Sequence, residues 1–305
     1  MGFAMAADGT VSAADRVRAH VALTKPRIVE LLLATALPTA FLAAGGLPPL
    51  GPTIGVLVGG TLAAGAANTF NSVYDRDIDA QMGRTLHRPA AMGVVSPGAG
   101  IVQGIVLSLL SAAVLLALAN PLASALALIA IGFYAVVYTM LLKRRTSQNI
   151  VWGGAAGCMP VLIAWAAITG SLTWTPVVLF LIIFFWTPPH YWPLAMKFRD
   201  DYAAAGIPML PVVRSSDVVA RSIIVYTWVM VATSLVLVPV APMGWLYAVG
   251  ATILGAGFLW EAYRLRRHVA IGATDVTQLA MRLFHGSITY LALLFLLVAL
   301  DPFLH

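Results

Sequence analysis

Asn68-Thr-Phe-Asn-Ser-Val-Tyr-Asp-Arg-Asp-Ile-Asp-Ala-Gln-Met-Gly-Arg-Thr-Leu-His-Arg-Pro89 is where a long apolar run gives way to dense charge. Three of the chain's 12 acidic residues, Asp75, Asp77 and Asp79, fall here. A helix turns by about 100° per residue, so Asn71, Asp75 and Asp79 advance by only about 40° per step. They form one oxygen-rich stripe about 12 Å long, and Asp77 points elsewhere. Carboxylates aligned at a membrane edge repel one another, so a positive charge is expected between them. Mg²⁺ is the natural candidate, because it takes one or two protein carboxylates together with waters and substrate phosphates. Arg84 and Arg88 add fixed charge suited to phosphate oxygens. The bland alternative is a solvated helix end whose acids pair with Arg76, Arg84 and Arg88.

The composition places this stretch in a membrane. Sixty per cent of the residues are hydrophobic, 10% are charged and the mean hydropathy is +0.90, whereas an ordinary soluble domain is about a quarter charged. Apolar runs long enough to cross about 30 Å of hydrocarbon fall near 28–45, 52–73, 99–118, 121–142, 149–169, 174–194, 220–240, 243–262 and 281–300. They are continuous rather than alternating, which argues against a β-barrel. The expected fold is an all-α polytopic bundle of about nine transmembrane helices, each satisfying its own backbone. Residues 1–24 read as a cytoplasmic tail and 25–305 as one membrane domain. The tail has no long apolar run, and Ala6 breaks the myristoylation pattern that Met-Gly begins.

With the N-terminus inside, all 18 Lys and Arg fall on the cytoplasmic side. They are Arg16, Arg18, Lys25 and Arg27, then Arg76, Arg84 and Arg88, then Lys143, Arg144 and Arg145. Lys197, Arg199, Arg214 and Arg221 follow, and Arg264, Arg266, Arg267 and Arg282 complete the set. The opposite loops hold none, as the positive-inside rule requires. The net charge of +6 therefore reflects topology and needs no nucleic-acid partner. The acids sort the same way, apart from Asp301 beyond the last span. Mid-membrane regions almost free of ionised groups disfavour a proton relay or an ion pathway. The single cysteine, Cys158, lies in an apolar run and reads as a buried structural thiol.

A second polar concentration, Thr187-Pro188-Pro189-His190-Tyr191-Trp192 through Lys197 to Asp200-Asp201-Tyr202, follows the sixth span. Lys197 and Asp201 are four apart and could share a helix face. Both charged regions follow even-numbered spans, as two parallel repeats of four helices would place them. Facing each other, they would form a polar mouth over an apolar cavity. Such a site suits a ligand that is diphosphate at one end and hydrocarbon at the other, a prenyl diphosphate. Cations would neutralise the departing diphosphate, while the dry interior shelters an allylic carbocation.

These residues carry a family resemblance. The Asn71/Asp75/Asp79 stripe resembles the first acidic motif of the UbiA superfamily of intramembrane prenyltransferases. A narrower resemblance, from about residue 24 to the last span, is to the protohaem IX farnesyltransferase (haem O synthase) branch. It rests on Thr24-Lys25-Pro26-Arg27, the stripe with Met82-Gly83-Arg84-Thr85 and Arg88-Pro89, Tyr138-Thr139 with Leu142-Lys143-Arg144-Arg145-Thr146, and Trp186 to His190 leading to Ala205–Pro211. The resemblance implies transfer of farnesyl from farnesyl diphosphate to a vinyl group of haem B, with water adding to give haem O. It implies Mg²⁺ at Asn71, Asp75 and Asp79, and diphosphate contacts from Arg84, Arg88, Lys143 and Lys197. The superfamily's second motif has an acid where Lys197 stands, leaving Asp201, with Asp200 beside it, as the remaining metal and catalytic position. That departure favours haem over an aromatic quinone precursor.

His190, among Trp186, Tyr191 and Trp192, is the candidate axial haem ligand; the alternative is an interfacial histidine bonded to backbone. Lys143-Arg144-Arg145 could equally be a topology anchor. The resemblance also implies a bacterial cytoplasmic membrane, or the mitochondrial inner membrane in a eukaryote, with haem A synthase or oxidase assembly factors as candidate partners. The competing readings are a UbiA-type enzyme acting on a quinone precursor and a non-enzymatic haem or lipid transporter.

Overall fold

The computed structural model describes residues 12–304, and these are helical throughout their ordered elements, with no strand among them. The first helix, α1 (Ala13–Leu23), is capped by Ser12, whose hydroxyl accepts the Asp15 N–H at 3.1 Å. It lies within the stretch expected to be a tail, yet Ala19 and Leu23 are buried against Ala90 and Val95. His20 and Gln103 bond side chain to side chain, and Gln103 Nε2 donates to the His20 carbonyl at 2.9 Å. The rest of the expected tail, residues 1–11, lies outside the described residues, as does His305.

Nine helices among the described residues are long and apolar enough to cross a membrane. The first two are α2 (Pro26–Ala44) and α3 (Leu50–Tyr74), and a four-residue turn, α4 (Arg76–Asp79), follows. Next come α5 (Pro97–Leu118) and α6 (Pro121–Gly132), the latter running on as a π-helical segment, Phe133–Leu142. Helices α7 (Asn149–Thr169) and α8 (Trp174–Lys197) lead into the short α9 (Arg199–Ala204) and α10 (Leu210–Val213). The last three spans are α11 (Ser216–Val240), α12 (Trp245–Ala270) and α13 (Val276–Leu300). Every expected span is present, most within a turn of its expected ends. The main difference is at the α12–α13 corner, where helix continues past Arg264, Arg266 and Arg267 and resumes before Arg282, so these cations sit on helices rather than in a loop.

Local chemistry sets the boundaries. Pro97 and Pro121 occupy first-turn positions where a missing N–H costs nothing, behind Ser96 and Asn120, which accept the Ala99 and Ala123 N–H groups. Gly45 and Gly170 end α2 and α7 in the left-handed region, at φ 64° and 69°. On the face where α3 meets α5 the backbones approach so closely that a Cβ on Gly100 would lie 2.3 Å from Val73 Cγ2.

Two apolar cores meet in the middle. One gathers residues of α2, α3, α5, α6 and α7, and the other residues of α7, α8, α11, α12 and α13. The most extensive pairings are α3 with α5 and α8 with α11, the second and third spans of each half, as a repeat of four helices would give. Large apolar side chains such as Val102, Leu109, Leu116 and Ile253 stay exposed around the bundle, a surface suited to lipid. At the end away from the basic residues, Asp301 accepts the Gly244 N–H with both oxygens, at 3.0 and 3.1 Å, tying the α11–α12 corner to the end of α13.

Candidate active site

The quoted stretch becomes the end of α3, a hinge and a turn. Helix α3 stops at Tyr74, but Asp75 N still donates to the Asn71 carbonyl at 2.9 Å and Asp79 N to the Asp75 carbonyl at 2.8 Å. The four-residue rhythm therefore survives the break. Asn71, Asp75 and Asp79 are all buried, at 2%, 0% and 2% exposure. Asp77 turns outward and pairs with Arg144 at 2.6 Å, which holds its carboxyl below the usual carboxylate range.

The acids are paired but not solvated. Asn71 Nδ2 donates to Asp75 Oδ2 at 2.7 Å and to Thr139 Oγ1 at 3.1 Å, and Asn71 Oδ1 accepts from Lys25 Nζ at 2.6 Å. Lys143 Nζ also donates to Asp75 Oδ2. Arg88 Nη1 reaches both oxygens of Asp79, at 3.0 and 2.8 Å. Asp75 Oδ1 is buried with no hydrogen bond among the described residues, and Arg144 Nη2 approaches it only to 3.7 Å. A fully buried carboxylate oxygen without a donor calls for a ligand. Oxygen donors in a stripe with one open acceptor fit a hard cation. Among the described residues no three His, Cys, Asp or Glu side chains converge as a ready-made cage.

Lys25 is a participant that its sequence pattern did not mark beyond a motif and a topology charge. It sits at φ 52°, ψ 64°, left-handed for a non-glycine residue, just before Pro26. Proline bars its predecessor from the ordinary helical region, and this alternative conformation accompanies the contact with Asn71. Burial, then Arg88 and Lys143, push its ammonium down to about 7.

The second charged region packs on the first. Ile78 and Met82 share a core with Ala195, Tyr202, Ile207 and Met209. Arg84 does not turn to the ridge; its guanidinium bonds the Tyr202 hydroxyl and lies 4.9 Å from that ring's centre and 5.3 Å from that of Phe198. Lys197 is exposed, with its ammonium 5.3 Å from the Phe198 ring. The helix breaks at Phe198, and Asp201 and Lys197 form no ion pair with each other or with the ridge among the described residues.

Below the mouth lies a cavity of about 410 Å³, lined mostly by apolar groups of α2, α3, α7 and α8. Asn68, one turn before Asn71, lines it, as does Tyr138, next to Thr139. The ridge therefore starts one turn from the cavity lining, although none of its three residues is itself in that lining. His190 is on the wall, 6% exposed, stacked between Trp186 (centroids 4.2 Å apart) and Phe284 (4.7 Å). Its Nδ1 lies 2.7 Å from Ser287 Oγ. The Ser287 hydroxyl already donates to the Phe284 carbonyl at 2.6 Å, so Nδ1 must be the donor to it. That assignment leaves Nε2 as the nitrogen with a lone pair. His87 and His285 are exposed, and His268 pairs with Asp275 at 2.8 Å. Cys158 is buried, with Sγ donating to the Gly154 carbonyl.

The UbiA prenyltransferase family model matches residues 32–288. The chain belongs to the UbiA prenyltransferase family. This family member is 55% identical to the protoheme IX farnesyltransferase of Streptomyces avermitilis over 289 residues, 95% of each chain. It is 54% identical to the protoheme IX farnesyltransferase of Nocardioides sp. over 294 residues, 96% of this chain and 93% of that one. Among solved structures, its fold is similar to that of a digeranylgeranylglyceryl phosphate synthase, with a TM-score of 0.76 and 13% identity over 94% and 99% of the two chains. It is also similar to that of a UbiA homolog from Archaeoglobus fulgidus bound to DMAPP and Mg²⁺, with a TM-score of 0.64 and 18% identity over 92% and 99%. The UbiA chain is thus a multi-pass membrane prenyltransferase.

Proposed function

We propose that this enzyme transfers the farnesyl group of farnesyl diphosphate to a vinyl group of haem B, with water adding to give haem O. The observation that carries the reading is the buried Asn71/Asp75/Asp79 ridge, which begins one helical turn beyond Asn68 in the lining of the apolar cavity. The ridge accounts for the diphosphate and the cavity for the isoprenoid. The choice of haem rests on the names of the relatives above, half or more identical over nearly the whole chain.

Asn71, Asp75 and Asp79 would hold Mg²⁺, with Asp75 Oδ1 the open ligand position, and Asp201 would complete the set from the second region. Mg²⁺, when bound, neutralises charge on the leaving diphosphate. Lys143 and Arg88, released from the acids, would donate to diphosphate oxygens, with Lys25 beside them and Arg84 and Lys197 at the rim. The apolar walls keep bulk water from the allylic cation. His190 would offer Nε2 to the haem iron while Ser287 fixes its ring through Nδ1, the usual arrangement of a ligating histidine. The membrane is proposed to be the bacterial cytoplasmic membrane, with the N-terminus and the active-site mouth inside.

The test is product mass. Purified protein in lipid, given haem B, farnesyl diphosphate and Mg²⁺, yields a haem heavier by one farnesyl group and one hydroxyl group. If haem B is consumed no faster than without protein while a hydroxybenzoate is prenylated, the quinone-precursor reading replaces this one.

A further inference from the structure

Three tyrosines stand where the ridge meets the cavity. Tyr134 and Tyr138 come from the π-helical segment, their rings 5.2 Å apart, and Tyr191 comes from α8 with its ring edge-on to His190 at 5.3 Å. All three line the cavity and retain accessible surface. The Tyr134 phenol is within electrostatic range of Tyr191, Asp75, Asp79 and Arg88, and the Tyr138 phenol within range of Tyr134, Tyr191 and Asp75. Tyr134 and Tyr138 thus stand on the ridge side of the cavity, their segment tied to Asn71 through Thr139, and Tyr191 lines the same cavity.

These three tyrosine hydroxyls face the cavity without a protein partner among the described residues, whereas Tyr74 and Tyr226, also unbonded there, do not line it. Among the described residues, the Tyr202 hydroxyl is bonded to Arg84, Tyr247 donates to the Ser234 carbonyl at 3.0 Å, and Tyr290 bonds Ser234 Oγ at 3.0 Å. For Tyr134, Tyr138 and Tyr191 the structure shows ring contacts and cavity lining but no hydroxyl hydrogen bond among those residues. Their hydroxyls are open to the cavity and free to bond whatever occupies it. The surroundings also fix these rings in place. Thr139 Oγ1 donates to the Tyr134 carbonyl at 2.8 Å and accepts from Asn71, so the segment is tied to the ridge. Gly153 lets the Tyr138 ring seat flat on α7, since a Cβ there would fall 2.1 Å from Cδ2. A π-helical stretch inside a long helix is itself a common mark of a functional site.

We propose that the hydroxyls of Tyr134, Tyr138 and Tyr191 hold the one water molecule that the reaction consumes, an assignment that rests on the haem farnesyl transfer proposed above. The farnesyl C1–O bond breaks and its electron pair leaves with the diphosphate. The vinyl π pair then forms the new bond to C1, and positive charge develops on the vinyl carbon attached to the porphyrin. The held water donates an oxygen lone pair to that carbon. Its surplus proton passes along the phenol oxygens to a diphosphate oxygen, which the ridge keeps close to Tyr134. Without a held water, the same cation sheds a proton from the adjacent carbon and becomes an alkene, lighter than the normal product by one water.

The experiment is product analysis with ¹⁸O-labelled water, using full-length protein in lipid vesicles with haem B, farnesyl diphosphate and Mg²⁺. The wild-type product carries the label. Tyr134→Phe, Tyr138→Phe and Tyr191→Phe keep the rings and their packing but remove the hydroxyls, and in each the hydroxylated fraction falls in favour of the alkene. In the triple variant the shift reaches at least about 100-fold, the lower end of a lost acid–base contribution. Gly153→Ala, which displaces the Tyr138 ring, shifts the ratio in the same direction. Unchanged product identity with a raised KM for farnesyl diphosphate would make the tyrosines diphosphate ligands and overturn the proposal. A wild-type enzyme that prenylates an aromatic acceptor instead of haem B would fail the functional reading first, before any variant is made.

Discussion

Arg88 holds Asp79 with one guanidinium nitrogen against both carboxylate oxygens, 3.0 and 2.8 Å away, with the Asp79 side chain only 3% exposed. Lys143 pairs with Asp75 through Oδ2 alone, leaving Oδ1 open. The ridge is thus neutralised by the groups proposed to grip the diphosphate. Metal and substrate would enter by an exchange of partners, the cation taking the acids and the basic side chains turning to phosphate oxygens. Arg88→Ala should leave Asp79 as an uncompensated buried charge, at a cost of about 3–5 kcal/mol. Mg²⁺ should then raise the melting temperature of Arg88→Ala more than that of the wild type, which thermal melts with and without Mg²⁺ would read.

The three acids of the quoted stretch should separate sharply in kinetics. Asp75→Ala and Asp79→Ala should each lower kcat/KM by at least about 100-fold, the scale of a lost electrostatic contact to developing charge. Asp77→Asn should keep most of the activity, because Asp77 faces away and pairs with Arg144. Its folded-state pKa is depressed, so the stability it contributes is present above its unfolded value near 3.8 and lost as pH falls below that. For so exposed a pair the contribution is about 0–1 kcal/mol, and Asp77→Asn should remove that pH dependence from the acid limb of a melting curve.

His190 and Ser287 make a spectroscopic prediction. If Nε2 takes the iron, His190→Ala should change the absorption spectrum of bound haem and lower turnover. Ser287→Ala should give a smaller spectral change, since the ring loses its Nδ1 anchor but keeps its stacking between Trp186 and Phe284. An unaltered spectrum with full activity in His190→Ala would reduce the histidine to part of the cavity wall.

The α3–α5 contact offers a test away from the site. Gly100→Ala should destabilise the protein by about 1–3 kcal/mol through overpacking against Val73. Adding Val73→Ala should recover part of that loss, and melting of the single and double variants would show the coupling.

The spans and the ridge were legible because each depends on short-range rules. Apolar run length alone marked all nine helices, and the four-residue spacing of Asn71, Asp75 and Asp79 survived even the break at Tyr74, since backbone bonding continues through Asp75. What escaped the sequence depends on distant partners. Lys25 reaches Asn71 from an unusual backbone region, and Arg84 turns to Tyr202 and Phe198. The π-helical segment that presents Tyr134 and Tyr138 reads, in sequence, as the second half of an ordinary span. Bonding five residues back rather than four is settled by what the segment packs against, here Gly153 and Asn71, and no local propensity marks it. Helix α1 was missed for a related reason: its apolar face is covered by a loop more than sixty residues away in the chain.

The most direct measurement of the central claim is an experimental structure of the protein in lipid with Mg²⁺ and farnesyl thiodiphosphate, which resists cleavage. The account predicts Mg²⁺ against Asp75 Oδ1 with Asn71 and Asp79 nearby, Arg88 and Lys143 turned to the diphosphate, and the farnesyl chain lying in the cavity past Tyr138. A diphosphate seated away from these residues, or a farnesyl chain outside the cavity with the Arg88–Asp79 and Lys143–Asp75 pairs intact, would contradict it.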